Sequence, residues 1–369
     1  MNHKERMFAA FRHQPVDRIP FATYNLHPFS AAHRNDPSYA ELLDLVWDEA
    51  GMLCKTGITR KQTPATRAAK ERMEVIREEN AEQERVTRIL HTPAGDLCSV
   101  TVIPAGQPSM VVEHFIKTDE DIRTYMSLPF EPDEFDVNPA AQVDAELEGR
   151  GVAYVNYADP MHAAAVLFDF NDFAVRCLTD IGPVLKLIDF FFERVQATLQ
   201  NQLRTCQEYP FLFYTGGPEI CTPPMMAPAM FARLVTPYQK RLIRMIHDAG
   251  FLACIHCHGR VRDVIGEVLK TDTDVLEPIE PPDQGDMTLL ELFAVAGNQL
   301  CLMGHIQDQE LHYVEPGTMT RHVEEIARVA AGRTGYVMIP TCTPFQHPAK
   351  ETFLRNYTEW VEAAVRIPA

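Results

Sequence analysis

The sequence contains no uninterrupted apolar run of about 18 residues, so no membrane-spanning helix is expected. It also lacks a dense run of Lys or Arg, and its 51 acidic residues outnumber its 34 basic ones, for a formal net charge of −17. Nucleic-acid-binding proteins usually carry a basic stripe. We therefore expect neither a nucleic acid nor a membrane as a partner. Residues 1–20 lack the apolar core of a signal peptide and instead predict an amphipathic helix followed by a turn.

The distribution of cysteines does not indicate a disulfide framework either. The nine cysteines are an odd number and are scattered through the chain. Such a distribution favours reduced thiols and a cytoplasmic location. What the chain does contain, over its 369 residues, is 46% hydrophobic and 23% charged residues. That composition is typical of a globular enzyme with a large core.

Short apolar runs alternate with stretches of helical periodicity along nearly the whole chain. The runs that predict strands are 19–24, 51–55, 152–157, 211–215, 252–257, 274–278, 300–304 and 336–340. The stretches that predict helices are 39–50, 173–209 (with a break near Gly182), 228–249, 260–270, 288–296, 319–331 and 351–366. Strand–helix alternation implies parallel pairing, and eight such strands imply a closed barrel. The predicted fold class is α/β, a (β/α)8 TIM barrel with extra N-terminal helices, forming one domain over residues 1–369.

One stretch departs from this rhythm. Residues 84–104, "ERVTRILHTPAGDLCSVTVIP", contain two β-rich runs around a turn at Thr92-Pro93-Ala94-Gly95. This pattern predicts an antiparallel β-hairpin. We expect the hairpin to be an insertion that caps the barrel and not an independent domain.

Polar side chains with metal-binding or proton-transfer chemistry follow nearly every predicted strand. They are Asn25, His27, Tyr157, Asp159, His162, Glu219, His256, His258, Glu277, Glu280, His305 and Cys342. In a (β/α)8 enzyme the active site lies at the C-terminal ends of the strands. Tyr24, Tyr157 and Tyr214 lie near the same mouth and suit an aromatic substrate, with Asn25 and His27 as further substrate-binding residues. For any single one of these residues, a packing or loop role is the alternative.

The stretch "CIHCHGR", residues 254–260, contains two Cys and two His within five positions. Side chains alternate along a strand, so His256 and His258 share a face and Cys257 points the other way. Cys254 and Cys257 therefore cannot act together as a metal clamp. We expect Cys254 in a deeper layer of the barrel and Cys257 in buried packing.

Two imidazoles do not complete a metal site, because zinc needs three or four N, S or O donors. Cys342, at the end of the eighth strand, is the natural third donor, and Glu219 after the fourth strand is a candidate fourth. A thiolate with imidazoles selects zinc over magnesium or calcium. The alternative is that His256 and His258 bind a substrate without a metal.

The sequence resembles the uroporphyrinogen decarboxylase superfamily, which also contains corrinoid-dependent methyltransferases. The resemblance lies in "KERMFAAFRHQPVDRIPF", in "HTPAGDLCSV", in residues 246–282 and in "GYVMIPTCTPFQHPAKETFLRNYTEWVEA". It covers most of the chain and implies a (β/α)8 barrel, in agreement with the strand pattern.

The two branches of this superfamily differ in their binding residues. Porphyrinogen decarboxylases bind carboxylate arms with N-terminal arginines, whereas "FATYNLHPFS" after the first strand has no arginine cluster. Methyltransferase members carry a His-x-Cys zinc motif on the fifth strand and a Cys after the eighth. The matching positions here are His256, His258 and Cys342, with His258 as the departure. The departure suits a zinc ion that polarises an oxygen and speaks against a thiol as methyl acceptor.

The resemblance thus implies O-demethylation: transfer of a methyl group from a small methoxylated donor, such as a methoxyaromatic, to the Co(I) corrinoid (cobalamin) of a partner protein. His162 or His305 would protonate the leaving oxygen, and Glu277 or Glu280 would orient a ligand histidine. The alternative is decarboxylation of a small aromatic or pyrrolic acid by Asp159, His162 or the histidine pair. A corrinoid-protein partner without turnover is a third interpretation, against which the dense polar strand ends argue. The apolar N-terminal region is compatible with a homodimer.

Overall fold

The structure, a computed structural model, describes residues 1–367. The strands are β1 Ala22–Tyr24, β2 Gly51–Thr56, β3 Thr59–Arg60, β4 Met73–Glu79, β5 Gln83–Thr92, β6 Gly95–Pro104, β7 Met110–Glu113, β8 Phe135–Asp136, β9 Gly151–Asn156, β10 Leu212–Thr215, β11 Leu252–His256, β12 Val275–Ile279, β13 Cys301–Ile306 and β14 Tyr336–Pro340. The α-helices are α1 His3–Phe11, α2 Ala31–Arg34, α3 Ala40–Glu49, α4 Pro64–Glu71, α5 Asp119–Met126, α6 Asn138–Glu146, α7 Pro160–Ala165, α8 Phe170–Thr179, α9 Ile181–Cys206, α10 Pro228–Leu234, α11 Thr236–Asp248, α12 Ile265–Leu269, α13 Leu289–Ala296, α14 Asp308–Tyr313, α15 Thr318–Ala330 and α16 Glu351–Val365.

Eight parallel strands form the main sheet, in the order β1-β2-β9-β10-β11-β12-β13-β14. A parallel bridge between Phe21 and Met338 joins its two ends, where the Met338 amide donates to the Pro20 carbonyl at 2.9 Å. Closure removes the unpaired edges that an open sheet would leave. The molecule is therefore an α/β protein with a (β/α)8 TIM barrel, and all eight predicted barrel strands are confirmed.

Alternate side chains of the barrel strands fill the interior, as the two-residue period of a strand requires. The interior cluster includes Tyr24, Leu53, Val152, Tyr154, Leu212, Tyr214, Cys254, Val275, Cys301, Met303, Val337 and Ile339. Cys254 belongs to this cluster, whereas Cys257 is fully buried outside it, as the alternation predicted. None of the nine cysteines, all of which lie within residues 1–367, forms a disulfide.

The chain divides into two compact units. The first contains residues 1–58, 137–157 and those from Cys206 onward, and it holds the barrel. The second contains residues 59–136 and 158–205, with an antiparallel sheet in the order β4-β5-β6-β7. Its central strands, β5 and β6, are the hairpin predicted at 84–104, which is confirmed; the flanking strands β4 and β7 were not predicted. The assignment of residues 1–369 to a single domain stays a prediction.

The helices follow the predicted pattern with shorter bounds. The long helix expected at 173–209 is present as α8 and α9, and α12 is only 5 residues long. The longest helix, α9, has 26 residues and carries several charged side chains. Within residues 1–367 no helix is both long enough and apolar enough to cross a membrane.

Candidate active site at the ends of the barrel strands

A buried carboxylate holds His256 at the end of β11. His256 lies opposite Glu277 of β12 in the sheet register, and its Nδ1 is 2.6 Å from Glu277 Oε2. The Tyr214 hydroxyl donates to the same oxygen and lies 2.6 Å from His256 Nδ1. The hydroxyls of Tyr24 and Tyr214 are 2.9 Å apart. Because the Glu277 side chain is 0% exposed, these contacts are shielded from water and fix the imidazole ring.

The two tyrosines of this network remain protonated. Burial raises the pKa of Tyr24 and that of Tyr214 above the ordinary value, and the charge of Glu277 raises both further. A phenol with a raised pKa keeps its proton and serves as a donor. Tyr214 therefore keeps the proton with which it donates a hydrogen bond to Glu277, and the Tyr24 hydroxyl contacts the Tyr214 hydroxyl.

A second carboxylate holds His258. Its Nδ1 is 3.3 Å from Glu280 Oε1, while Glu280 Oε2 accepts from the Gly259 amide at 2.6 Å. Burial lowers the pKa of His258, but the hydrogen bond and charge of Glu280, together with the charges of Glu277 and Glu219, raise it above the ordinary value. Burial likewise raises the pKa of Glu280, and its bonds to His258 and Gly259 bring it below the ordinary value.

The two imidazoles are neighbours with a common arrangement. Their ring centroids are 4.6 Å apart and their planes nearly perpendicular, at 87°. Each ring contacts a carboxylate through Nδ1. The role of Glu277 and Glu280 as groups that orient a metal-binding histidine stays a prediction.

The other two predicted metal ligands lie in the same electrostatic neighbourhood. Burial and the charge of Asp308 raise the pKa of Cys342 to about 11, with smaller contributions from Glu277 and Glu280. Glu219 accepts a hydrogen bond from the Gly217 amide at 2.9 Å, and its charge contributes to the raised pKa of His258. Across residues 1–367, however, no three His, Cys, Asp or Glu side chains are positioned to hold a metal ion. Zinc ligation by His256, His258, Cys342 and Glu219 therefore stays a proposal.

Asn25 joins the ends of several strands. Its amide nitrogen donates to the Tyr154 hydroxyl and to Thr343 Oγ1, each at 3.0 Å, and its oxygen accepts from the Lys55 amide at 2.7 Å. Its φ of +53° lies in the left-handed region that Asn tolerates. The Tyr154 ring stacks on Tyr214 at 4.4 Å. Sequence reasoning missed Tyr154 and Thr343; strand alternation would have selected Tyr154.

Two further predicted substrate-binding residues are buried in other surroundings. The Tyr157 hydroxyl donates to Gln239 of α11 at 2.9 Å, so it is directed toward a helix and not toward the barrel axis. His27 packs against Phe29 with ring centroids 5.8 Å apart. Burial lowers the pKa of His27 to about 4, so its imidazole is neutral near pH 7.

Asp159 and His162 belong to the second unit. Asp159 is the N-cap of α7, and its Oδ1 accepts from the His162 amide at 2.6 Å. This bond satisfies a donor that the first turn of a helix leaves free. Asp159 is 3% exposed, and its carboxylate caps this helix; a catalytic role for it stays a prediction.

His305 lines a cavity formed with α13, α14 and α15. Its backbone φ is +79° and that of Gly304 is +145°, which interrupts the inward series of Cys301 and Met303 in β13. Burial lowers its pKa to about 4. Among residues 1–367, those that line this cavity do not include His256, Glu277, Tyr214 or Tyr24. A role for His305 at the His256 site stays a prediction.

Comparison with known proteins agrees with this architecture. The family model described as Uroporphyrinogen decarboxylase (URO-D) matches residues 66–364. No curated protein matches the chain. Among solved structures, a methyltransferase from Methanosarcina mazei is similar, with a TM-score of 0.60 and 12% identity over 99% of this chain and 98% of that one. At this identity the likeness shows the fold alone.

Two weaker structural likenesses carry no argument about function. A D-psicose 3-epimerase with D-tagatose from Clostridium cellulolyticum H10 has a TM-score of 0.39 and 9% identity, covering 63% of this chain and 84% of that one. The YdhT protein from Bacillus subtilis has a TM-score of 0.41 and 8% identity, covering 92% and 85%. The family match, in contrast, spans most of the sequence, so the chain belongs to the uroporphyrinogen decarboxylase (URO-D) family.

Proposed function

We propose that this protein is a zinc-dependent methyltransferase that moves a methyl group from a small methoxylated donor, such as a methoxyaromatic, to the Co(I) corrinoid of a partner protein. The observation that carries the proposal is the pair His256 and His258, each held at Nδ1 by a carboxylate. Histidines that ligate metals usually have their second nitrogen engaged in this way. With the proton on Nδ1, the Nε2 atom of each ring is the one that can bind a metal ion.

The proposed ligand atoms are of the types that bind zinc: two imidazole nitrogens, a cysteine sulfur and a carboxylate oxygen. His256 and His258 would bind through Nε2, with Cys342 as the third ligand and Glu219 as the fourth or as a group that yields to substrate. Gly216 leaves room beside the site, since a Cβ there would lie 3.3 Å from His256 Cδ2. The thiol of Cys342, with its pKa of about 11, needs a cation beside it to become a thiolate near pH 7. Bound zinc would supply a Lewis acid that polarises the donor oxygen.

The chain's own residues orient the ligands and supply charge. Glu277 places a negative charge behind His256, which makes the imidazole a stronger ligand. Tyr214 donates to Glu277 and keeps its carboxylate in position. Of the two histidines that the sequence offered as proton donors to the leaving oxygen, His305 is the less suited, since it lines a different cavity.

Residues after β1 favour a neutral donor over a polycarboxylate. The segment contains Asn25 and His27, with no arginine from Phe21 to Ser30. A substrate with several carboxylate arms would need a cationic clamp, ideally of arginines. A neutral ether needs no cationic clamp, so the absence of arginine from this segment supports the proposed substrate class.

Decarboxylation of a small aromatic or pyrrolic acid is the second candidate. It is favoured by the observation that no three His, Cys, Asp or Glu side chains in residues 1–367 are spaced to hold a metal. In that reaction the bond between the ring carbon and the carboxylate breaks, its electron pair stays on the carbon, and a proton replaces carbon dioxide. His258, with its pKa raised, would supply that proton.

One experiment distinguishes the methyltransferase from the decarboxylase. The protein is mixed with a reduced corrinoid protein and a panel of methoxyaromatics, and the Co(I) absorbance band is followed. We expect conversion to the methylated corrinoid with wild-type protein and with Cys257→Ser, and no conversion with His256→Ala. Release of carbon dioxide from a carboxylated aromatic by the isolated chain, without metal or corrinoid, would instead establish the decarboxylase.

A further inference from the structure

A cavity of about 420 Å³ is lined by residues of α13, α14 and α15 and by residues at or just after the C-terminal ends of β12 and β13. Its apolar walls are Pro281, Pro282, Leu289, Leu290, Ile326 and Val329. Ligand pockets of small molecules have volumes of roughly 300–1,000 Å³ and mostly apolar linings with a few polar groups. The cavity has the size and wall chemistry of such a pocket.

His305 lies at this cavity in an unusual state. Its φ of +79° is in the left-handed region, which a non-glycine residue rarely adopts. Its Nδ1 is buried and has no hydrogen-bond partner among the described residues. Strained backbone of this kind tends to occur at functional sites, and a buried polar atom without a partner calls for one. Both observations make His305 a candidate contact for a ligand in this cavity.

The charges around the cavity indicate the nature of that ligand. Glu310 and Glu325 both line it, and among the described residues no Lys or Arg does. His322, which also lines it, is already paired with Glu310 at 3.0 Å. An anionic ligand would therefore find no free positive partner. An ammonium group could donate both to a carboxylate and to the neutral imidazole of His305.

We propose that this cavity is a second small-molecule site, which binds a small apolar amine in its protonated form. The apolar body lies against Leu289, Leu290 and Ile326, and the ammonium faces Glu325 and His305. None of the residues that line the cavity belongs to the His256–Glu277 network. The inference therefore does not depend on the proposed methyl-transfer function.

The test uses the full chain and benzylammonium as the probe, with benzoate and benzyl alcohol as ligands of similar shape. Binding is measured by calorimetry, and the histidine ring resonances are followed by NMR. The His305 signal is identified by its absence in His305→Gln. We expect saturable binding of benzylammonium, a shift of the His305 signal, weaker binding of benzyl alcohol and no binding of benzoate.

Variants then locate the site. Leu290→Trp fills the rim of the cavity at a side chain that is 56% exposed, so the fold should be retained, and binding should weaken at least tenfold. Glu325→Gln should weaken it several-fold. Glu324→Gln, on the same helix but outside the cavity, is the matched control and should bind as wild type.

Three results would overturn the proposal. The first is no saturable binding of benzylammonium in the millimolar range. The second is binding of benzoate as tight as that of benzylammonium. The third is unchanged benzylammonium binding by a folded Leu290→Trp protein, with circular dichroism as the check on folding. Since no substituted residue is a proposed zinc ligand, the zinc content should be equal in all these variants, which keeps the outcome separate from that of the methyltransferase proposal.

Discussion

Replacing Glu277 with Gln should weaken zinc binding while preserving the shape of the site. Glu277 Oε2 accepts from His256 and Tyr214, whereas Oε1 is buried without a partner. The amide oxygen of Gln can take the place of Oε2 and accept both bonds, so the principal loss is the negative charge behind His256. Loss of such an orienting partner typically lowers metal affinity about 10- to 100-fold. That range corresponds to about 1.4–2.8 kcal/mol.

The matched substitution is Glu280→Gln, which removes the same charge behind His258. The His258 side chain is 40% exposed, compared with 16% for His256. Water screens the more exposed pair, so its charge contributes less. We expect the effect of Glu277→Gln near the upper end of the range and that of Glu280→Gln below about tenfold.

The assay is zinc affinity measured by competition with a chromogenic chelator, with thermal melting to show that each variant is folded. The reasoning predicts a larger loss for Glu277→Gln than for Glu280→Gln. Equal affinity of both variants and wild type, or a larger loss for Glu280→Gln, would refute the assignment of Glu277 as the principal orienting group.

Three further predictions concern stability. Asn25→Ala should lower the free energy of unfolding, measured by urea denaturation, by about 2 kcal/mol, because it removes the hydrogen bonds that join four strands. Asn25→Gly removes the same hydrogen bonds but tolerates the positive φ, so it should be less destabilised than Asn25→Ala and still less stable than wild type. Gly304→Ala should cost about 2–4 kcal/mol, since a Cβ would lie 2.6 Å from the Ile279 carbonyl oxygen at a φ of +145°, and an unchanged melting temperature would contradict the close strand approach. The bond to Asp274 at 2.8 Å raises the pKa of His247, so its contribution is complete below the unfolded pKa of about 6.5 and is lost as the pH rises through the higher folded pKa. The stability difference between wild type and His247→Gln should therefore be larger at low pH than at high pH, and a difference that grows with pH would show the opposite sign of shift.

Much of the barrel could be predicted because each strand is a short buried run between helices. The predicted strand at 252–257 and the observed β11, Leu252–His256, differ by one residue. β4 was missed because its sequence, MEVIREE, is charged and largely exposed and shows no apolar alternation. Its partner in the sheet, β5, does have buried positions at Val86 and Leu90 and was found. Burial patterns, and not strand propensity alone, therefore decided which strands the sequence revealed.

The site was predicted in part for a similar reason. Alternation correctly separated Cys254 from Cys257, because β11 is regular as far as His256 and the Cys257 amide still donates to the Glu277 carbonyl at 2.8 Å. It did not apply to His305, where positive φ angles at Gly304 and His305 interrupt the alternation. Tyr157 was chosen for its place at a strand end, although the inward position belongs to Tyr154. Such departures depend on tertiary contacts that a single sequence does not contain.

The zinc content of protein purified without a His tag tests the central claim most directly. Elemental analysis should find about one zinc per chain in wild type, as a single site with these ligands requires, and the same in Cys257→Ser. The content should fall to background in the three ligand variants His256→Ala, His258→Ala and Cys342→Ser. Wild-type protein without zinc, or zinc retained by Cys342→Ser and lost by Cys257→Ser, would contradict the account.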